Sequence, residues 1–150
     1  MTSPMKPLGR IRNDIKRLPG CICGVYFLFQ SGEVTYVGSS ENVMPQIYRH
    51  MKDRNVDSFA VHECAPFELE ELAGDYIAEH GPRENTRFPL GARYKSRPQL
   101  KKHCVDGHEV NAVIKHGGLA ETILNGRQYY VERDFLNAQA LWRSSVANRT

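Results

Sequence analysis

Two tyrosines, each two positions from a glycine, mark the part of the chain most capable of chemistry, because a phenol can donate hydrogen bonds and exchange a proton. Tyr26 belongs to a Gly-Val-Tyr run and Tyr36 to a Tyr-Val-Gly run. Aromatic and β-branched residues flank the Ser31-Gly32 break between them, which predicts a β-hairpin with a short loop. A plain hairpin with two partly buried tyrosines would show the same pattern.

The paired runs resemble the signature of the GIY-YIG nuclease family. The predicted order of elements from residue 22 to about residue 86 also resembles that family: strand, strand, helix, strand, helix and a Pro-x-x-Asn turn at Pro82 to Asn85. The resemblance implies hydrolysis of a DNA phosphodiester with one divalent metal ion. A metal ion and hydrogen-bond donors would stabilise the charge that develops in the transition state.

The resemblance assigns a role to each matching residue. Tyr26 would help to activate water, and Tyr36 would orient the phosphate together with a helix arginine. Asn85 would brace the site, and His50 matches a histidine found at the end of the first helix in many members. A glutamate on the later helix would hold the metal ion.

Two positions depart from the family pattern. The expected arginine is replaced by Gln46, which has no charge for a bidentate phosphate contact, and the expected glutamate by Ala73, which cannot hold a metal ion. Arg49 lies near the same helix face as Gln46 and could reach a phosphate. Glu70, one turn before Ala73, is a weaker substitute, because a metal ligand must be placed within a few tenths of an ångström. These departures predict an inactive or impaired site with no metal ligands; an active site with relocated residues would need Mg²⁺.

A second module is predicted after residue 95. Ser96 begins a helix, a second helix ends at Gly117-Gly118, and Asn125-Gly126 between β-forming runs predicts a hairpin. A last helix follows from Asp134 to Arg143, and one of two adjacent tyrosines, Tyr129 or Tyr130, is expected in the core. The pattern resembles a small winged helix-turn-helix of the excisionase type. It implies DNA contacts from a polar set around the second helix and the wing: Lys115, His116, Arg127, Gln128 and Arg133.

The remaining elements follow from periodicity. The first helix should turn Val43, Ile47 and Tyr48 inward, and residues 57 to 64 should form a third strand. A second helix should begin at Pro66 and end at Gly81-Pro82, and residues 83 to 95 should form a loop. The apolar face of that second helix is predicted to comprise Leu69, Leu72, Ala73, Tyr76 and Ile77.

Composition favours an ordinary folded protein, because 41% of the 150 residues are hydrophobic and 25% are charged. The net charge of +3 permits a nucleic-acid partner without requiring one. The predicted class is α/β (α+β): a basic arm over residues 1–20, a GIY-YIG-like three-stranded antiparallel sheet with flanking helices over 21–95, and a winged-helix-like module over 96–150. Ile11 and Ile15 predict a short amphipathic helix in the arm.

The chain has no apolar stretch that could span a membrane and no signal-peptide core near its start, so a cytoplasmic protein is expected. Its four cysteines, Cys21, Cys23, Cys64 and Cys104, are expected to be reduced and half-buried. A zinc site built from some of these with His62 stays open as an alternative.

These observations together predict a protein that binds double-stranded DNA through a degenerate nuclease-like domain and a winged module, and that acts as a regulator. The alternatives are an active divalent-metal-dependent endonuclease and a protein-interaction module that has lost DNA binding. A homodimer is compatible with each of these readings.

Overall fold

A computed structural model describes residues 21–53 and 55–148. The chain divides into two compact units, one ending at Ala92 and the other beginning at Arg93. Each unit contains a three-stranded antiparallel sheet and helices, so the protein belongs to the mixed α+β class. The basic arm and its predicted helix near residues 9–18 lie outside the described residues. No helix in the described ranges is long and apolar enough to cross a membrane.

The first unit is built on the predicted hairpin. Strands β1 (Gly24–Gln30) and β2 (Glu33–Ser40) pair antiparallel around Ser31-Gly32, where both residues have positive φ, 51° and 82°. The predicted third strand is confirmed as β3 (Ser58–Glu63), which pairs with the other side of β1. Six of the seven β1 residues are buried, since this central strand is covered on both faces.

Helix α1 (Val43–Asp53) covers one face of this sheet. Val43 and Ile47 are buried there, as predicted, in a cluster with Tyr26. Tyr48 was predicted to point inward, and that prediction is wrong, because its side chain is 61% exposed. Position 48 directly follows Ile47, and one residue on a helix rotates the side chain by about 100°, away from the stripe that the sheet covers.

Helix α2 (Leu69–His80) covers the opposite face, after a 3₁₀ turn at Pro66–Glu68. Its Tyr76 ring meets Phe27 of β1 edge to face, with 4.7 Å between ring centroids. The helix ends at Gly81, whose left-handed φ of 53° accommodates the predicted stop. All five residues predicted for its apolar face are buried, which confirms that part of the sequence analysis: Leu69, Leu72, Ala73, Tyr76 and Ile77.

The second unit contains a second small sheet and three α-helices within the described residues. In chain order its elements are β4 (Tyr94–Lys95), α3 (Arg97–Leu100), α4 (Gly107–Gly117), β5 (Thr122–Leu124), β6 (Arg127–Val131) and α5 (Glu132–Ala147). The sheet order is β4-β6-β5, and α4 and α5 pack over a core around Val113 and Phe135.

The turns of this unit lie where the sequence predicts them, but one of its strands was not predicted. Ser96 caps α3, and Asn125 and Gly126 form the hairpin turn with φ values of 48° and 81°, both as predicted. The predicted loop over residues 83–95 is wrong at its end, where β4 pairs with β6. A two-residue strand carries no periodicity, so only its pairing partner reveals it.

Tyr129 and Tyr130 are both buried, at 4% and 2% exposure, where one was expected in the core. Adjacent residues of a strand point to opposite faces, so burial of both means that β6 is covered on its two sides. The ring of Tyr130 packs into the core beside Phe135 and also lies under the guanidinium of Arg97, 5.4 Å from the ring centroid.

Candidate functional site

One polar hollow of about 580 Å³ lies in the first unit, lined by residues of β1, β2, both helices and the segment after α2. The structure brings together in it the six positions of the family resemblance and Arg49, the possible substitute for the missing arginine. They are Tyr26, Tyr36, Gln46, Arg49, His50, Ala73 and Asn85. They span 60 positions of the chain, from 26 to 85, so only folding makes them neighbours.

The two tyrosines and the histidine form one cluster at this site. The Tyr26 hydroxyl is 3.1 Å from Nε2 of His50, and the ring centroids of Tyr36 and His50 lie 5.0 Å apart. The Tyr26 and Tyr36 rings are tilted, with 6.2 Å between centroids. Gly38 faces Tyr26 across the hairpin, and a Cβ there would overlap the Tyr26 ring and hydroxyl. Because Gly38 has no side chain, the Tyr26 ring can occupy the space beside it.

Helix α1 supplies the cationic side of the hollow. Arg49 is exposed, and its guanidinium donates a hydrogen bond to the Gln46 side-chain oxygen, three residues earlier. Because both residues line the hollow, this bond restricts where the Arg49 charge can lie. The resemblance places the phosphate-binding arginine at position 46; here the positive charge enters the hollow from position 49 instead.

Helix α2 supplies an apolar wall where the family has a metal ligand. Ala73 lines the hollow and is 1% exposed, with Ile77 beside it on the same face. Glu70, considered as a substitute, is exposed, does not line the hollow, and lies next to Gly91. Helix α2 therefore brings no carboxylate to the tyrosine cluster.

Asn85 joins the turn after α2 to strand β2. Its Oδ1 accepts a hydrogen bond from the Val37 N–H and its Nδ2 donates one to the Val37 carbonyl, both at 2.9 Å. The side chain is 6% exposed, and the turn itself is closed by an Asn85 N–H to Pro82 carbonyl bond of 3.1 Å. An amide fits here because it has one donor and one acceptor, as the two backbone groups of Val37 require.

Besides Ser39 of β2, three polar residues that line the hollow were missed in the sequence: Glu84, Thr86 and Arg87. The backbone N–H of Glu84 donates to the Thr35 carbonyl at 3.0 Å, which holds this segment along β2. Their position on either side of Asn85 was the available signal, since neighbours of a site residue in a loop often reach the same site. They add one carboxylate and one guanidinium to the lining.

The candidate DNA contacts of the second unit are all exposed, on three elements. Lys115 and His116 occupy the last turn of α4, Arg127 and Gln128 begin β6, and Arg133 lies in the first turn of α5. The Gln128 side chain makes two hydrogen bonds, each of 2.5 Å.

In those two bonds Gln128 accepts from Arg97 and donates to Glu121. Its amide is therefore held within the unit, next to an exposed Arg127.

In the ranges 21–53 and 55–148, no group of three or more histidine, cysteine and acidic side chains could hold a metal ion. His62, considered for zinc, is 1% exposed, and its Nδ1 lies 2.7 Å from the Tyr76 hydroxyl. That nitrogen is engaged inside the sheet–helix interface.

Comparisons of the chain with protein-family models, with curated proteins and with solved structures found no match.

Proposed function

We propose that this protein binds double-stranded DNA and that its first unit is a GIY-YIG-like nuclease domain which holds a backbone phosphate without cutting it. The observation that carries the proposal is that the six family positions and Arg49 line one hollow while Ala73 stands where the metal ligand is needed. The order of strands and helices around the hollow also supports the family resemblance.

The hollow has the groups that a phosphate diester requires. The guanidinium of Arg49 is a planar donor suited to phosphate oxygens, and its bond to Gln46 reduces the conformational entropy lost on binding. Arg87 contributes a second cation to the same lining, and the hydroxyls of Tyr26 and Tyr36 can donate to phosphate oxygens.

The hollow lacks what hydrolysis by this family requires. An active member holds its divalent ion with a glutamate from the later helix, and the Ala73 methyl group cannot coordinate a cation. Without that ion no divalent cation stabilises the pentacoordinate phosphorus of the transition state. A site that binds DNA and leaves it intact follows from this combination of residues.

The second unit is proposed to be a winged helix-turn-helix that contributes most of the contacts to the duplex. Its Asn125-Gly126 turn carries the exposed Arg127 at the wing, and the last turn of α4 presents Lys115 and His116. Cations at a wing tip and at a helix end suit contacts to backbone phosphates or to the minor groove.

One observation favours a second candidate, an active endonuclease with a relocated ligand. Glu84 lines the hollow and is a carboxylate, the kind of ligand that Mg²⁺ accepts alongside water and phosphate oxygens. In that case Glu84→Gln would abolish Mg²⁺-dependent nicking of plasmid DNA, whereas the proposed binding protein has no such activity to lose.

The proposal is tested by fluorescence anisotropy of a labelled duplex over a range of salt concentrations. Arg49→Gln should weaken binding and reduce the log–log salt slope by about 0.9, the value for one lost phosphate contact. The matched control is Arg83→Gln, because Arg83 is an exposed cation of the same unit that bonds to Gln30 and does not line the hollow. Equal behaviour of the two variants, or no binding by the unaltered protein, would overturn the proposal.

A further inference from the structure

Cys23 and Cys64 face each other at the end of the β1–β3 ladder. The last pair of that ladder is Gly24 opposite Glu63, so the next residues in register are Cys23 and Cys64. The Cys64 N–H donates to the Cys23 carbonyl at 3.0 Å, which extends the antiparallel pairing by one step. Both cysteines are free thiols of intermediate burial.

This register places the two Cα atoms within the range that a disulfide spans. Opposite residues in a hydrogen-bonded antiparallel pair have Cα atoms about 5.5 Å apart and side chains on the same face of the sheet. Disulfides span Cα separations of about 4.4 to 6.8 Å. We infer that Cys23 and Cys64 are a site of reversible thiol–disulfide exchange, whose oxidant is a low-molecular-weight disulfide.

The low-molecular-weight disulfide accepts the two electrons that the cysteines lose. The thiolate of one cysteine attacks a sulfur of the small disulfide, forms a mixed disulfide and expels one small thiolate. The second cysteine then attacks the protein-bound sulfur, so that the Cys23–Cys64 bond forms and a second small thiolate leaves. The protein loses two electrons and two protons, and the small disulfide is reduced to two thiols.

The surroundings make the reduced pair slow to react at neutral pH. Burial, and then the negative charge of Cys23, raise the pKa of Cys64 to about 11. Burial also raises the pKa of Cys23, and the nearby Glu41 adds to that shift. Because only thiolates attack, the oxidation rate should increase about tenfold per pH unit below these pKa values.

The bond would close a loop that contains part of the lining of the hollow. Residues 23 to 64 include β1, β2, α1 and β3, and so carry Tyr26, Tyr36 and Arg49. Cross-linking the ends of such a loop restricts the unfolded chain and stabilises the folded unit. Oxidation should therefore raise the thermal midpoint of the full chain.

The test is peptide mapping of the full chain after incubation with glutathione disulfide and alkylation of the remaining thiols. Trypsin places Cys21 and Cys23 on peptide 18–49, Cys64 on peptide 55–83 and Cys104 on a third peptide. The expected product is a cross-link between peptides 18–49 and 55–83, two hydrogen masses lighter than their sum, which disappears on reduction.

Single serine variants identify the cysteine on the first peptide. Cys21→Ser is the matched control, since position 21 lies two residues from Cys23 on the same strand approach, and it should keep the cross-link. Cys23→Ser should lose the cross-link and also the rise of about 5 °C or more in thermal midpoint that oxidation gives the unaltered chain. A cross-link that survives Cys23→Ser, a Cys21–Cys23 bond, or no cross-link at all would overturn the inference.

Discussion

The Gln46 side chain accepts a hydrogen bond from the Arg49 guanidinium one helical turn further along α1, and both residues line the tyrosine hollow. The neutral Gln46 thus occupies the position where the family resemblance requires a cation. Its side chain binds the guanidinium of Arg49, which lies on the next turn of the helix. The exchange keeps a guanidinium in the hollow. The wall at Ala73 has no carboxylate.

The first prediction is that the protein does not cleave DNA at enzyme-like rates with Mg²⁺ or Mn²⁺. The reason is the missing carboxylate at Ala73 and the missing guanidinium at position 46. Supercoiled plasmid incubated with excess protein should stay supercoiled. Nicking that is lost in a Tyr26→Phe variant would show that the site is active.

The second prediction is that the site can be rebuilt in part. Gln46 and Ala73 line the same hollow, so Gln46→Arg with Ala73→Glu would add a phosphate clamp and a metal ligand beside the tyrosines. Ala73→Glu alone should bind Mn²⁺ weakly with little cutting. The double variant should nick plasmid measurably, and a further Tyr36→Phe change should reduce the nicking.

A matched control for this rebuilding is Glu70, which is already acidic and lies one turn earlier on α2, outside the hollow. Glu70→Gln in the double variant should leave nicking unchanged. If it abolished nicking, the rebuilt metal site would not be at position 73.

The third prediction concerns the wing. Arg127→Ala should weaken duplex binding by about 1 kcal/mol or more, because this exposed cation is placed to contact the backbone or a base. Lys101→Ala, which removes an exposed cation from another part of the same unit, serves as the control for general charge loss. Titrations at fixed salt measure both changes; unchanged affinity for Arg127→Ala would remove the wing from the interface.

The fourth prediction concerns the brace at Asn85. Asn85→Ala would leave the Val37 N–H and carbonyl without their side-chain partner, both inside the protein. Losing these bonds should lower the free energy of unfolding of the first unit by about 2–4 kcal/mol. Urea denaturation measures the loss. Asn55→Ala, at an exposed position between α1 and β3, should change stability far less.

The fifth prediction concerns acid stability of the second unit. Arg143 donates to the Glu109 carboxylate at 2.6 Å, and this bond, against the opposing effect of burial, lowers the pKa of Glu109 to about 2. A folded pKa below the unfolded value of about 4.3 contributes stability that is present above that pH and is lost as pH falls towards 2.

Replacing Arg143 with Met should therefore lower the thermal midpoint at neutral pH by several degrees, and the difference from the unaltered protein should shrink between pH 4.5 and 2. Gln139 also bonds Glu109, so some depression of its pKa should remain. Thermal scans at a series of pH values measure the gap, and a gap that stays constant down to pH 2 would rule out this linkage.

The sequence by itself determined the elements whose causes are local. The Ser31-Gly32 and Asn125-Gly126 turns needed residues that tolerate positive φ, and both occur where predicted. The α2 apolar face and its stop at Gly81 were also predictable, because a stripe of apolar residues followed by glycine specifies a helix and its end without reference to other elements.

Only the tertiary structure decided what is brought together across the chain. Burial of Tyr130 and the short strand β4 each depend on a partner distant in sequence, so local pattern could not fix them. The same holds for the site. In the sequence, Gln46 and Ala73 are two isolated departures from a family pattern. In the structure, helices α1 and α2 pack next to β2 and place both residues in one hollow. The two helices take these positions because each buries its apolar face against the sheet.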